Sequence, residues 1–582
     1  MKHTVACLIL NLAFAGALNA QYLFTQVNTN MVPMGYSRAI WGDIDNDGDL
    51  DVAVAGESAL DGTMAKIYRN DAGTFHDLNA GLTGIQYPSL EFGDYDQDGD
   101  LDLLLTGLDS LSQPVTKIYK NSSGSFSDSG IPLPGVYDGA GCWGDFDNDG
   151  DLDILLSGTT VDFTYISKIL RNDGNTQFND IGAPLMGFQM AFACWVDYNN
   201  DGQQDAMVGG DSGGGMFTKL YKNDHGSFTE IDYKFMGLSD GQAKWGDLDK
   251  DGDNDLIIVG SDLYSDGHVA IYQNTGNDEF IENLTFEVNL ISSFVETGDY
   301  DNDGKLDYML MGKYPGCGGT VVTILNHNDG DMVFSEVTTL IPGIKKGSIQ
   351  FGDYNNDGWH DILLTGYTQT DSYATWLYRN PGGSSGFSTN TPPAQPNGIN
   401  AEVADNNVTF SWERSTDAQT PSAGLTYNVY IGNSPGEANI FSPMSDLSNG
   451  FRQTVINGNC SHDTSWGVND LSNGDYYWSV QAIDNGYMGS GFAPSGTFTI
   501  DYVGISDPAV TSASIYPNPC KDKVYINDPA MTGAMVTVMS SLGKIILRQA
   551  AGTADLSDCP GGVYLIELRD ADKTVRYKLI KE

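Results

Sequence analysis

From about residue 35 to residue 380 the chain is written as short apolar runs set between acidic, glycine-rich turns. Leu101 to Gly107 (LDLLLTG) is an apolar run of strand length, and KIYKN, ending at Asn121, is a second strand-like run after a variable loop. A polar turn and a Gly-x-Phe phrase such as SFSDS from Ser125 supply another, and one more strand leads into each acidic turn. The pattern therefore predicts four short strands per period. Past the N-terminus, no apolar run approaches the roughly 18 residues of a membrane span.

The periods repeat. WGDIDNDGDLD from Trp41, FGDYDQDGDLD from Phe92, WGDFDNDGDLD from Trp143, WVDYNNDGQQD from Trp195, WGDLDKDGDND from Trp245, TGDYDNDGKLD from Thr297 and FGDYNNDGWHD from Phe351 are variants of one phrase. Their leading aspartates are spaced by 51, 51, 52, 50, 52 and 54 residues. A second phrase keeps step, ending at Asn70, Asn121, Asn172, Asn223, Asn274, Asn328 and Asn380. Four short antiparallel strands repeated radially make a β-propeller blade, so the expected fold is all-β: a seven-bladed β-propeller followed by two small β-sandwich domains. LFTQV from Leu23 resembles the fourth strands TFHDL and SFTEI, whereas the seventh period dissolves into GFSTNTPP. The N-terminal segment is thus expected to supply the outer strand of the last blade, which removes an exposed edge.

The start of the chain sets the compartment. A cationic Met1-Lys2-His3, an apolar Val5 to Leu18 and Leu18-Asn19-Ala20 before Gln21 read as a signal peptide over residues 1–20. Export permits disulfides, but six cysteines in the remaining chain are too few for a disulfide scaffold. With 77 acidic and 29 basic residues the net charge is -48, which excludes a nucleic-acid partner.

Each acidic turn has the spacing D-x-[DN]-x-D-G-x-x-D. A hard cation such as Ca²⁺ takes six to eight oxygens, and this loop offers side chains at positions 1, 3, 5 and 9 and the carbonyl of position 7, with glycine at 6 for the turn. The ligand sets are Asp43, Asp45, Asp47, Asp49 and Asp51; Asp94, Asp96, Asp98, Asp100 and Asp102; Asp145, Asp147, Asp149, Asp151 and Asp153; and Asp197, Asn199, Asp201, Gln203 and Asp205. They continue with Asp247, Asp249, Asp251, Asp253 and Asp255; Asp299, Asp301, Asp303, Lys305 and Asp307; and Asp353, Asn355, Asp357, Trp359 and Asp361. The position-7 residue in each acts through its carbonyl. An EF-hand would need Glu at position 12, where Val54 and Leu105 stand. A single DNDGD is as readily a solvated turn, but seven copies that all keep the ninth-position Asp are not. Two carboxylates about 4 Å apart repel by roughly 1 kcal/mol in water and 4 at an effective dielectric of 20, so four in one loop call for a cation. About seven structural Ca²⁺ sites are expected, with the loops of Asn199 and Asn355 binding more weakly. These loops hold 30 of the acids and two lysines, so most of the net charge is metal-site chemistry.

The loops, with their W/F-G-D openings and apolar exits ending in Gly, resemble the FG-GAP and VCBS repeats of the integrin α-subunit propeller and of many secreted bacterial proteins. The resemblance covers residues 21–388. It implies metal in the hairpin between strands one and two, on the face opposite the ligand-meeting loops, with a structural role and no catalysis.

A linker over residues 389–398, semi-flexible by composition, precedes a β-sandwich expected over 399–500. VTFSWE around Trp412, LTYNVYIG around Tyr427 and GDYYWSVQAID around Trp478 resemble a fibronectin type III module. After a second linker, 501–512, residues 513–582 resemble the C-terminal sorting domain of the type IX secretion system of Bacteroidota. Tyr516-Pro517-Asn518-Pro519, Gly543-Lys544, Gly562-Val563-Tyr564 and the terminal Lys578-Leu579-Ile580-Lys581 carry that resemblance. It implies export through the periplasm by that machinery, then cleavage with release or surface attachment. Cys520 and Cys559 stand before two of these motifs; a disulfide and two buried thiols are equally open.

Gly210-Asp211-Ser212-Gly213-Gly214 and Gly432-Asn433-Ser434-Pro435-Gly436 match protease and esterase strings, but neither has the required context of partner histidine or strand-turn-helix. Seven scattered histidines give no zinc spacing. On the face away from the acidic loops, Tyr36, Arg38, Tyr87 and Tyr137, with Phe163, Tyr165, Phe217, Tyr264, Tyr314, Tyr367 and Tyr373, are candidates for stacking on sugar rings or anchoring a protein, against the alternative of packing on their own loops. The residues favour a non-catalytic, secreted or cell-surface adhesion or glycan-binding protein. The alternatives are a polysaccharide-degrading lyase or hydrolase on a calcium propeller and a structural envelope component.

Overall fold

The computed structural model describes residues 23–582 apart from 60–61, 175–176, 277, 284–288, 316–318, 383–387, 470, 502–513, 517–519, 528–534, 541–543, 551, 570–573 and 582. The expected signal peptide and Pro517, Asn518, Pro519 and Gly543 of the sorting motifs lie outside the described residues. Among those residues the chain is all-β, without an α-helix. It divides into two compact units, Met1–Ile500 and Asp501–Glu582.

In the first repeat, strands Gly35–Gly42, Asp51–Ser58, Gly62–Asp71 and Thr74–Asp77 pair antiparallel in chain order. Register is set at the acidic loop, where Gly42 faces Asp51 and Trp41 faces Val52. The run Val52–Ala55 is buried throughout because successive side chains point to opposite faces and each face meets a different core. Val52 and Val54 join Trp41, Tyr68 and Leu363; Ala53 and Ala55 join Ile85, Phe92 and Leu103.

The same four-strand order recurs over residues 137–180, 189–230, 239–282 and 291–337, and the first two repeats share one sheet through the pairing of Met64 with Ile85. In the seventh repeat, Ile344–Gly352, Asp361–Thr368 and Tyr373–Arg379 are joined by Thr25–Val27, with Thr25 opposite Arg379. The N-terminal LFTQV phrase thus stands where the other repeats place a fourth strand. Each first strand packs against the first strands before and after it, and Gly35–Gly42 also packs against Ile344–Gly352 of the last repeat. These contacts explain the W/F-G-D opening. A Cβ on Gly42 would stand 2.6 Å from the Phe92 ring, on Gly93 2.7 Å from Trp143 and on Gly352 2.7 Å from Trp41, so each glycine clears space for its neighbour's aromatic.

Residues 397–500 form two three-stranded antiparallel sheets: Asn397–Ala404, Asn407–Glu413 and Ser465–Val468; and Thr426–Gly432, Gly474–Ile483 and Gly496–Ile500. They share a core of Phe410, Trp412, Tyr427, Trp466 and Trp478. The 389–398 stretch does not swing free. Asn390 donates its backbone N–H to Gly358 O at 3.2 Å and its side-chain amide to Asp484 at 2.8 Å, and Ala394 N–H bonds Thr416 O at 2.8 Å.

The second unit packs Ser514–Tyr516, Lys523–Asn527 and Gly552–Asp555 in one sheet and four strands, from Met535–Ser540 to Thr574–Lys581, in another. Val536, Val538, Tyr564, Ile566 and Leu579 form its core. Cys520 is buried in that core and Cys559 packs against it, both as thiols, so the cross-link left open by the sequence is not made here.

Candidate functional site

Each acidic loop folds around its first aspartate. Asp43 accepts the N–H groups of Asp47 and Gly48, both at 3.1 Å, while Asn46 and Gly48 hold the left-handed φ values of 61° and 88° that reverse the chain. Asp51, at position 9, accepts Ile44 N–H at 2.9 Å and Asn70 N–H at 2.6 Å. The result is convergence: one oxygen from each of Asp43, Asp45 and Asp51 lies within 4.8 Å of the others. The same holds for Asp94, Asp96 and Asp102; for Asp145, Asp147 and Asp153; for Asp247, Asp249 and Asp251; and for Asp301 and Asp307 with His327. Asp47 Oδ1 is used by Asp49 N–H at 3.0 Å, and the Asp49 carboxylate by Ala72 N–H at 2.9 Å and Asn356 Nδ2 at 2.8 Å. Position 7 is therefore left with its carbonyl to offer.

These carboxylates are held at a cost. Burial, aided by the neighbouring loop charges, pushes Asp43 up to about 7, Asp51 to about 8 and Asp102 to about 9. Asp45 Oδ1, Asp96 Oδ1 and Asp147 Oδ1 are buried without a hydrogen-bond partner. An oxygen-only donor set with a desolvated, unbonded carboxylate oxygen fits a hard cation. The fourth and seventh loops are different. Position 3 is an amide in both: the Oδ1 atoms of Asn199 and Asn355 accept the N–H groups of Asp201 at 3.1 Å and Asp357 at 3.0 Å, as Asp249 Oδ1 accepts Asp251 N–H in the fifth loop. But each amide adds a donor where the other loops have a second carboxylate oxygen, and that of Asn355 is turned onto Asp361 at 3.3 Å.

The sequence reading missed a basic residue that reaches most loops from the third strand. Arg69 lies 3.9 Å from Asp45, Lys120 3.0 Å from Asp98, Lys222 3.6 Å from Asp201 and Arg379 2.8 Å from Asp357; His327 occupies this position in the sixth loop. It is the residue before the Asn of the second phrase, so the signal was present. At position 7, Lys305 pairs with Asp303.

The Asn of the second phrase joins neighbouring repeats. Asn121 donates to Ile44 O at 2.7 Å, Asn223 to Phe146 O at 2.7 Å and Asn380 to Tyr300 O at 2.7 Å, each acceptor being the second residue of the preceding acidic loop. A second link runs the other way: Asn46 Nδ2 bonds Asp100 at 3.0 Å and Asn356 Nδ2 bonds Gly48 O at 2.9 Å.

The second module sits on this acidic-loop face. Asp43 N–H donates to Gln453 O at 2.8 Å, Asn485 Nδ2 to Gly304 O at 3.3 Å and Asn254 Nδ2 to Ser461 Oγ at 3.2 Å; His360 Nε2 meets Gly486 O at 3.0 Å. Within the repeats lies a cavity of about 420 Å³, walled by Glu91, Cys142, Lys244, Glu296 and Gln350 and bounded on the module's side by Phe441, Arg452 and Trp466. Lys244 bonds Glu296 at 2.8 Å, as does Gln350. Each wall residue directly precedes the W/F/T of its acidic phrase, and at this position Glu91, Lys244 and Glu296 bring charge into the strand.

On the opposite face the predicted aromatics divide. Tyr36 packs edge-on to Tyr87 at 4.9 Å and to Tyr367 at 5.5 Å, and its hydroxyl accepts from Lys346 at 2.5 Å. Arg38 turns inward, stacking 4.4 Å from the Phe294 ring and bonding Gly347 O at 3.2 Å. Phe163 and Tyr264, 76% and 83% exposed, project from the loops between strands two and three. Ser212 Oγ donates to Gly215 O at 2.9 Å within its own turn and Ser434 Oγ to Asn433 at 3.2 Å, so both enzyme-like strings are turns.

The FG-GAP-like repeat family matches residues 24–105 and 247–310, and the secretion system C-terminal sorting domain matches residues 514–582. No curated protein matches the chain. Among solved structures, the fungal Aleuria aurantia lectin, a six-bladed β-propeller, is similar at 7% identity and TM-score 0.31, covering 67% of this chain and 99% of its own. The AofleA protein of Arthrobotrys oligospora matches at 11% identity and TM-score 0.33, over 54% of this chain and 90% of its own. The extracellular domain of a one component system protein of B. thetaiotaomicron matches at 10% identity and TM-score 0.34, over 82% of this chain and 58% of its own. The sorting domain marks the chain for secretion to the outer surface or the extracellular space.

Proposed function

We propose that this chain, which carries FG-GAP-like repeats and a secretion-system sorting domain, is a seven-bladed, calcium-stabilised β-propeller with a fibronectin type III-like module, acting as a non-catalytic binding protein for a surface glycan or protein. Seven four-strand repeats whose first strands pack in succession, the last against the first, support the propeller. Calcium would be held by the carboxylates at positions 1, 3, 5 and 9 and the carbonyl at position 7, and would engage the Oδ1 atoms of Asp45, Asp96 and Asp147, which are buried without a hydrogen bond.

The observation that carries the binding role is the placement of the second module. It covers the acidic-loop face and leaves the face of Tyr36, Tyr87 and Tyr137 as the end through which a ligand meets the repeats. A glycan array and a cell-surface binding assay with residues 21–500 test it. The combined Tyr36→Ala, Tyr87→Ala and Tyr137→Ala variant is expected to lose binding while still melting as a folded protein, at a somewhat lower temperature because the Tyr36 packing on Tyr87 and Tyr367 is removed, and retained binding rejects the reading. One observation favours the polysaccharide-degrading alternative: the same face carries Asp138 and Asp240 with Arg38 and Lys346 in electrostatic reach of Asp240. Unsaturated or new reducing-end products from a polysaccharide that this face binds would decide for it.

A further inference from the structure

The residue before the Asn of the second phrase is Arg69, Lys120, Arg171, Lys222, Gln273, His327 and Arg379 in the seven repeats. Five of them contact position 3 or 5 of their loop: Arg69 stands 3.9 Å from Asp45, Lys120 3.0 Å from Asp98, Lys222 3.6 Å from Asp201, Gln273 2.5 Å from Asp249 and Arg379 2.8 Å from Asp357. His327 reaches position 9. Its Nδ1 lies 3.2 Å from Oδ1 of Asp307, a fully buried carboxylate, and 3.6 Å from Oδ2 of Asp301 in position 3. One atom from each of these three residues falls within 4.8 Å of the others, whereas in the first, second, third and fifth loops the converging donors are all carboxylate oxygens. The arrangement is held from both sides. The His327 ring meets the Tyr300 ring edge-on at 6.2 Å, and Asp307 accepts the N–H groups of Asn328 at 2.8 Å and Tyr300 at 3.2 Å.

The sixth loop has also given up an oxygen donor. Both oxygens of Asp303, in position 5, are taken by Lys305: one by its N–H at 2.9 Å, the other by its ammonium, which also bonds Asn328 O at 2.8 Å. Ca²⁺ draws roughly six to eight oxygens at about 2.3–2.6 Å, and this loop offers it one carboxylate fewer and an imidazole nitrogen instead. Imidazole suits Zn²⁺ and its neighbours, which take nitrogen and oxygen at about 2.0–2.2 Å in a four-coordinate shell. Two donors on such a tetrahedral shell stand about 3.4 Å apart, and the two distances from Nδ1, 3.2 and 3.6 Å, bracket that value. The far side of the ring fits the same role. Nε2 faces the carboxylates of Asp329 at 3.7 Å and Asp303 at 3.9 Å, and outer carboxylates of this kind orient a metal-bound imidazole. The other charges at the cluster are Asp299, which accepts the N–H groups of Asp303 at 3.1 Å and Gly304 at 2.8 Å, and Lys250 of the preceding loop, in electrostatic reach of Asp299 and Asp303. A protonated His327 would merely stand in for the Arg and Lys of the other repeats; it would then ligate nothing, which is one outcome of the test.

We propose that Asp301, Asp307 and His327 form a site for a borderline divalent metal ion of the zinc class, which this one loop prefers to calcium; the proposal rests on the reading of the acidic loops as cation sites. Calcium enters the same loop when it is the only ion offered. The full-length protein, saturated with Ca²⁺, is titrated calorimetrically with Zn²⁺, and with Co²⁺ followed by its visible absorption. A single equivalent of Zn²⁺ is expected to bind, and Co²⁺ to give the strong absorption of a four-coordinate ion with a nitrogen ligand. His327→Lys installs the base of the second and fourth repeats. It is expected to weaken Zn²⁺ binding at least about a hundredfold, since losing a ligand exceeds the roughly 10–100-fold cost of losing an outer partner, while the chain still binds Ca²⁺. His327→Gln carries the same expectation should the lysine variant not fold. No Zn²⁺ binding in saturating Ca²⁺, a Co²⁺ spectrum of a six-coordinate, all-oxygen ion, or Zn²⁺ binding undiminished in the folded variant overturns the proposal. If Ca²⁺ binds the loops and Zn²⁺ finds no place of its own, the calcium reading stands and this site falls; if Zn²⁺ binds through His327 and Ca²⁺ binds nowhere, the reverse holds.

Discussion

Asn70 in the first repeat donates its side-chain amide to the backbone carbonyl of Tyr354 in the seventh, at 2.8 Å, across 284 residues of chain. The same amide bonds Leu50 O at 3.1 Å, and Asn70 Oδ1 accepts Gly73 N–H at 2.7 Å. This is the link that every other repeat makes to its predecessor, here made between the ends of the array. Asn70→Asp removes two donated bonds and faces a carboxylate with two carbonyls, a loss of about 2–4 kcal/mol. Asn223→Asp does the same inside the array. Chemical denaturation of the two variants is expected to give equal losses; a clearly smaller loss for Asn70 would mean that the first and last repeats are not tied together.

The second module can be undocked without touching a carboxylate. Gly48 and Gly304 occupy the same loop position at φ 88° and 77°, but a Cβ on Gly48 meets nothing within 4 Å, whereas on Gly304 it would lie 1.9 Å from Gln419 O. Gly48→Ala is expected to cost only the left-handed strain, about 1–2 kcal/mol. Gly304→Ala adds a clash with the module, and limited proteolysis is expected to cut between residues 381 and 396 faster in Gly304→Ala than in Gly48→Ala. Equal cleavage rates would contradict the docking.

The cavity wall depends on a buried ion pair. Lys244 bonds Glu296 at 2.8 Å, and Glu296 is buried. Lys244→Met leaves that carboxylate with Gln350 as its side-chain donor, and breaking such a pair from one side costs about 3–5 kcal/mol. The combined variant Lys244→Met and Glu296→Gln is expected to recover most of that loss in the same denaturation series.

The second module is expected to be acid-sensitive through His462, a buried ring that contacts Leu425 O at 3.2 Å. Burial lowers its pKa from the ordinary 6.5 to about 4. Between those values the unfolded chain takes up a proton that the folded chain refuses, so stability falls as pH falls through this window, by up to about 3 kcal/mol. His462→Gln, compared with the parent chain at pH 7 and pH 4.5 in saturating calcium, is expected to flatten that dependence. Identical slopes would show that His462 does not carry it.

The repeat was legible because its causes are local. An aspartate at position 1 closes its own loop on the N–H groups four and five residues on, and the alternation of Val52 to Ala55 reports burial on two faces. What the sequence hid is what one repeat does to another. Asn70 reads as a strand-end residue until Tyr354 is beside it, and the glycine of W/F-G-D reads as a turn until the next repeat's aromatic fills its space. The first-strand bulge, a register slip at Tyr36, Asp138 and Lys346, shares no side-chain type at the bulged residue. Its trace is the small residue that follows, Ser37, Gly139 and Gly347, where a Cβ would lie 2.0 Å from Ser157 O on Gly139 and 1.8 Å from Thr365 O on Gly347. The docking of residues 399–500 on the loops was hidden for another reason: Gln453, Asn485 and Ser461 are ordinary surface residues until they meet Asp43, Gly304 and Asn254.

Calcium is the most direct test of the whole account. Chelator-stripped protein titrated with Ca²⁺ in a calorimeter is expected to bind about five equivalents tightly, at the loops with Asp45, Asp96, Asp147, Asp249 and Asp301 in third place, and two more weakly at those of Asn199 and Asn355. The melting temperature should rise with occupancy, because an ion that binds only the folded loops stabilises them. A titration without heat, together with a melting temperature indifferent to chelator, would contradict the claim that these loops are metal centres.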